Sequence, residues 1–146
     1  MKINLFKALC SVFFSSLLTN AAIAAETLLS CPAEISGGLL QVQAPSAEWQ
    51  GYVEPRHLLL SAGFMSNEPS KLEHLIPDSS KETKDRYIAT WTLNDRGFPD
   101  GKWLSCAYGG FSFSKKIDEN FSSCSITYLL DKKTKRVEGV EKIVCR

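Results

Sequence analysis

Residues 103–110 read Trp-Leu-Ser-Cys-Ala-Tyr-Gly-Gly. Side chains alternate along a strand, so Leu104, Cys106 and Tyr108 fall on one face and the glycines end the run in a turn. A face made of an aliphatic, a cysteine and an aromatic side chain belongs in a core and can carry a disulfide. Two other runs have the same period. In residues 87–93, Tyr87, Ala89, Trp91 and Leu93 alternate with Ile88, Thr90 and Thr92; in residues 124–130, Cys124, Ile126 and Tyr128 share a face. Strands punctuated by turn chemistry, without a long amphipathic helix, define a mainly β, antiparallel domain with long loops and at most one or two short helical turns.

The chain begins with the layout of a secretory leader. Lys2 and Lys7 precede an apolar and small-residue run over residues 8–18, and Ala22-Ile23-Ala24-Ala25 supplies a small-residue cleavage site. The run is shorter than the roughly 20 residues of a spanning helix and contains serines. Residues 1–25 are therefore expected to be removed, leaving a periplasmic mature domain at 26–146 with no stable membrane anchor. Loss of Lys2 and Lys7 lowers the basic count from 17 to 15, against 16 acidic residues. A near-neutral domain has no electrostatic basis for nucleic-acid binding.

Loss of Cys10 reduces five cysteines to four: Cys31, Cys106, Cys124 and Cys145. An even number in an oxidising compartment argues for two disulfides. The pairing expected is Cys106–Cys124, between neighbouring strands, and Cys31–Cys145, between the start and end of the mature chain. No two cysteines have the spacing of a structural zinc site, and neither metal nor cofactor is expected.

Between these landmarks, residues 39–43 and 49–53 read as short strands, and residues 57–64 as one apolar strand bounded by Pro55 and Gly63. Residues 66–84 read as a long polar loop pinned through Leu72, Leu75 and Ile76 by a helical turn. Residues 94–101 carry turn residues, residues 112–122 a connection with a helical turn near 117–121, and residues 131–135 a basic hairpin loop. Trp49, Trp91 and Trp103 are assigned to the core.

Catalytic chemistry is thinly represented. A catalytic histidine needs a nucleophile within hydrogen-bond reach, and no serine lies in a Gly-x-Ser-x-Gly elbow. Loop carboxylates, Glu68, Glu73 and Asp78 in one group and Asp95 and Asp100 in another, admit a small hydrolase, alone or with His74. Solvated loop charges are the commoner explanation. A binding role draws instead on loops and aromatics: Glu73 and His74, Asp95 and Asp100, and Tyr108 with Phe111 around Gly109-Gly110. Tyr108 is either a contact residue or core.

Several motifs together resemble a family of small secreted proteobacterial proteins encoded near type VI secretion genes. They are Ser30-Cys31-Pro32-Ala33-Glu34-Ile35, Leu59-Leu60-Ser61-Ala62-Gly63, Ile76-Pro77, Trp91-Thr92-Leu93, Trp103-Leu104-Ser105-Cys106-Ala107-Tyr108-Gly109, and Cys124. The resemblance spans nearly the whole mature chain and brings no catalytic residues. It implies a periplasmic, non-catalytic immunity or inhibitor protein whose partner is a toxin or a cell-wall-degrading enzyme. A looser similarity, in size and disulfide-bonded β character, is to periplasmic lysozyme inhibitors. A small hydrolase and an envelope accessory protein are the alternatives.

Overall fold

The structure is a computed structural model; it describes residues 25–94 and 97–146. The leader assignment and Asp95 lie outside the described residues. Ten strands follow in chain order: β1 Thr27–Leu29, β2 Glu34–Ser36, β3 Arg56–Leu58, β4 Ser61–Met65, β5 Ser79–Glu82, β6 Arg86–Thr92, β7 Trp103–Ala107, β8 Ser112–Lys116, β9 Ser123–Leu130 and β10 Val137–Cys145. They form a five-stranded sheet in the order β1-β10-β9-β6-β5, a three-stranded sheet β4-β7-β8 and a ribbon β2-β3. Every pairing is antiparallel. The helical content among the described residues is two 3-10 turns, Gly37–Leu39 and Pro69–Lys71.

The core lies between the two larger sheets. Ala89, Trp91, Cys124, Ile126 and Tyr128 from one meet Phe64, Leu104 and Cys106 from the other, all buried. Phe64 and Trp91 touch edge to face across the layers, ring centroids 5.1 Å apart. The Tyr128 hydroxyl donates to the Ala62 carbonyl at 2.6 Å, so the aromatic most deeply placed in β9 is hydrogen-bonded to the opposite sheet. The three alternating faces read from the sequence are thus the faces that build this core.

The disulfides pair differently from the sequence expectation: Cys31 with Cys106, and Cys124 with Cys145. β7 and β9 belong to different sheets, which separates Cys106 from Cys124. Ser123 and Arg146 exchange both backbone hydrogen bonds, so the next residues inward, Cys124 and Cys145, form a non-hydrogen-bonded pair with Cα atoms 4.1 Å apart. Cys31, between β1 and β2, is brought beside β7 and fastens the start of the described chain to the three-stranded sheet.

Other local expectations also change. The run at 57–64 is two strands, because its pairing switches partner: Leu59 N donates to Ala33 O, and Leu60 N to Ala107 O. Residues 39–43 and 49–53 are not strands; no ladder receives them, and Leu39, Trp49 and Tyr52 are left exposed. Trp49 is accordingly not core. In the 66–84 region the 3-10 turn is at Pro69–Lys71, Leu72 and Ile76 are exposed, and Leu75 alone packs inward. That region also contains edge strand β5. Residues 112–116 are strand β8, and the buried Ile117 is followed by a turn, Phe121 N to Asp118 O, in place of a helix.

Candidate functional site

β7 and β8 are joined by a two-residue hairpin. Gly109 and Gly110 have φ of +79° and +73°, and Tyr108 N donates to Phe111 O at 3.0 Å. Positive φ at both central positions is the type I′ condition, which glycine meets without steric cost. The turn places four rings together. Phe111 stacks on Tyr108 at 5.7 Å and meets His57 of β3 edge-on at 5.0 Å; Phe113 lies 5.8 Å from Phe111 and 6.2 Å from Tyr108.

These rings divide the work. Tyr108 is buried, its hydroxyl donates to Pro32 O at 2.8 Å, and burial pushes its phenol pKa up. It holds the Cys31-Pro32 segment and supports Phe111 from within the core. Phe111 is half-buried and Phe113 more exposed.

Two grooves meet at this turn, and both are bordered by Gly109, Gly110 and Phe111. One, of about 410 Å³, is walled by Leu40, Val42, Tyr52, Val53 and His57. The His57 Nε2 atom is buried there without a hydrogen-bond partner. The other, of about 460 Å³, lies over the outer face of the three-stranded sheet, beneath Leu72 and His74. Sequence reasoning missed Val42, Tyr52 and Leu60 as lining residues, having placed all three in strands.

The acidic candidates have structural employment. Glu73 Oε2 accepts from the Ser66 hydroxyl at 3.1 Å and from the Asn67 amide. Asp100 pairs with Lys71, joining the two turn regions. Asp78 Oδ2 accepts from Thr92 N at 2.7 Å. Glu73 thus closes the 66–84 loop on itself, Asp100 ties it to the 98–101 turn, and Asp78 ties it to β6. His74 is exposed, and its backbone makes an isolated bridge with Met65. The structure thus brings His74 and Phe111 to one groove and leaves Glu73 and Asp100 as loop fasteners.

A disulfide-stapled β scaffold with aromatic-edged grooves, whose carboxylates serve as loop fasteners, defines a binding module. Residues 54–146 match the family model described as Type VI secretion system Tli immunity protein, and the chain belongs to that family. Family membership supports a protein that acts by binding a toxin. No curated protein and no solved structure matches the chain. The matched stretch contains β3 to β10 and three of the four disulfide cysteines; β1, β2 and Cys31 lie before it.

Proposed function

We propose that this protein is a periplasmic, non-catalytic immunity protein, exported by a leader cleaved after Ala24 or Ala25, and that it meets its toxin with the end of the molecule carrying the Gly109-Gly110 turn. The observation that carries the reading is the convergence of two grooves, of about 410 and 460 Å³, on that turn. Both are in the size range of recognition sites. Their rims include Val42, Tyr52, Leu60 and Leu72, all exposed. Large apolar side chains left in water beside concave surface are characteristic of an interface. The paired disulfides suit an exported protein.

Immunity proteins are usually encoded beside their toxins, so the test uses the toxin encoded by the adjacent gene. Its affinity for the mature protein is measured with wild type and with Phe111→Ala, alongside thermal unfolding of each. The expected outcome is a loss of more than about 2 kcal/mol of binding, as for an interface hot spot. Unchanged affinity in a folded Phe111→Ala protein moves the contact face to the 66–84 loop.

A further inference from the structure

The outer face of the three-stranded sheet has an unusual composition. The register sets Ser61, Ala107 and Ser112 in one row and Gly63, Ser105 and Ser114 in the next. Every residue in these rows is small, and four carry hydroxyls. Among the described residues that line the groove there is no acid, lysine or arginine, and His74 on the rim is the one titratable group among them. The walls are apolar: Pro69 and Leu72 on one side, Leu60 and Phe111 on the other.

Gly63 lies on the edge strand of this face, in register with Ser105, and lines a smaller hollow of about 100 Å³ that shares Ser61, His74, Ser105, Ala107 and Ser112 with the groove. It sits in a regular stretch of the β4–β7 ladder, its φ is not positive, and a Cβ built on it meets nothing within 4 Å. Gly139 of β10 also has open space, but it lies at a register shift, which accounts for a glycine there. No such cause acts at Gly63. Glycine weakens a strand interior and marks places where another backbone approaches closely.

We infer that this groove receives an uncharged, extended loop of the toxin, whose backbone crosses Gly63 and Ser105. The hydroxyls of Ser61, Ser105 and Ser112 donate to its carbonyls and accept from its amides, while the Ser114 hydroxyl donates to Met65 Sδ at 3.8 Å. An apolar side chain of the loop lies against Leu60 and Phe111. An unpaired charge brought into this groove loses water and gains no opposite charge, which is why the loop is neutral. The walls come from loops and the floor from a sheet face.

This inference rests on the immunity reading, and the experiment separates the two. Wild type, Gly63→Leu and, as a matched control, Gly139→Leu are titrated with the purified toxin encoded by the adjacent gene, and their thermal unfolding is followed. The inference expects Gly63→Leu to keep the wild-type unfolding midpoint and to lose at least 100-fold in affinity, with Gly139→Leu unaffected. If Gly63→Leu fails to fold, Ser112→Leu, at an exposed position on the same floor, replaces it with the same expectation. A filled groove with undiminished toxin binding overturns the inference and leaves the immunity reading standing. Binding of a neutral peptidoglycan disaccharide that Gly63→Leu abolishes, with toxin affinity unchanged, assigns the groove to a saccharide and also overturns it. Wild type that does not bind the toxin overturns both.

Discussion

The Cys124–Cys145 disulfide links two strands already paired within the five-stranded sheet, whereas Cys31–Cys106 joins a segment outside any large sheet to the three-stranded one. Around the first, Ile126 of β9 and Ile143 and Cys145 of β10 point inward and are almost fully buried. Around the second, the chain from Gly37 to Pro55 pairs with little and leaves Leu39, Val42, Trp49 and Tyr52 in solvent. One end of the molecule spends its apolar residues on folding. The other presents them, and needs a covalent fastening to hold its shape. On the proposed reading stability and recognition are divided between the two regions, and substitutions in each will be read by different measurements.

The largest expected effect comes from the long-range staple. In the chain-entropy model, loops with sequence separations of 75 and 21 residues correspond to roughly 4.5 and roughly 3.3 kcal/mol. Cys106→Ser is expected to cost more stability in denaturant unfolding than Cys145→Ser. It should also release the Pro32 segment that Tyr108 holds, and so weaken toxin binding. Equal stability losses, with binding untouched by Cys106→Ser, break the division drawn above.

A smaller effect is expected at Lys102, one of the few buried charged residues. Its Nζ donates to Glu119 O at 2.6 Å and Phe121 O at 2.7 Å, and lies 5.2 Å from the centre of the Phe98 ring. It pins the connection between β8 and β9. Lys102→Met keeps the stem and leaves both carbonyls unsatisfied, for a cost of about 1–3 kcal/mol. Hydrogen exchange of Asn120 and Phe121 amides should accelerate in this variant, while amides of β9 and β10 slow-exchange as before.

Next in size is Tyr128. Burial, with Tyr87 nearby, pushes its phenol up to about 12, above the roughly 10 of an unfolded tyrosine. The native state therefore holds the proton more tightly. Its contribution is fully present below pH about 10 and is lost as pH rises through about 12. Tyr128→Phe should remove this late step from an absorbance titration of phenolates. It should also cost about 1 kcal/mol at neutral pH through the lost bond to Ala62 O.

The two regions also differ in how far the sequence revealed them. β6 and β9 were legible because a more buried face alternates with a less buried one, and β7 because Leu104, Cys106 and Tyr108 repeat at a period of two although Ser105 between them is buried as well. The disulfide pairing was not, because it depends on which strands share a sheet, and β7 and β9 carry no local mark of belonging to different layers. The run at 57–64 hid a change of partner at Leu59 and Leu60, which is a tertiary event. Of the residues lining the candidate grooves, Phe111 and His74 were legible, where turn chemistry and loop polarity are local. Val42 and Tyr52 were not, since an exposed apolar residue without a period looks the same in sequence as a short buried strand.

The smallest expected change in stability is at Tyr52, and it is the sharpest test of the comparison. Its side chain is 78% exposed and borders the 410 Å³ groove opposite Phe111. A surface substitution away from caps and buried polar groups shifts stability by no more than about 0.5 kcal/mol. Tyr52→Ser should therefore unfold at the wild-type midpoint. An exposed tyrosine at a groove rim is nevertheless the kind of residue that anchors an interface, with large contact area and few torsions to fix. If the Gly37–Pro55 region is for recognition, Tyr52→Ser weakens toxin binding by about 1–2 kcal/mol, seen mostly as faster dissociation. A variant that binds like wild type and loses stability instead places Tyr52 with the folding residues, and the division between the two ends of the molecule fails at its clearest position.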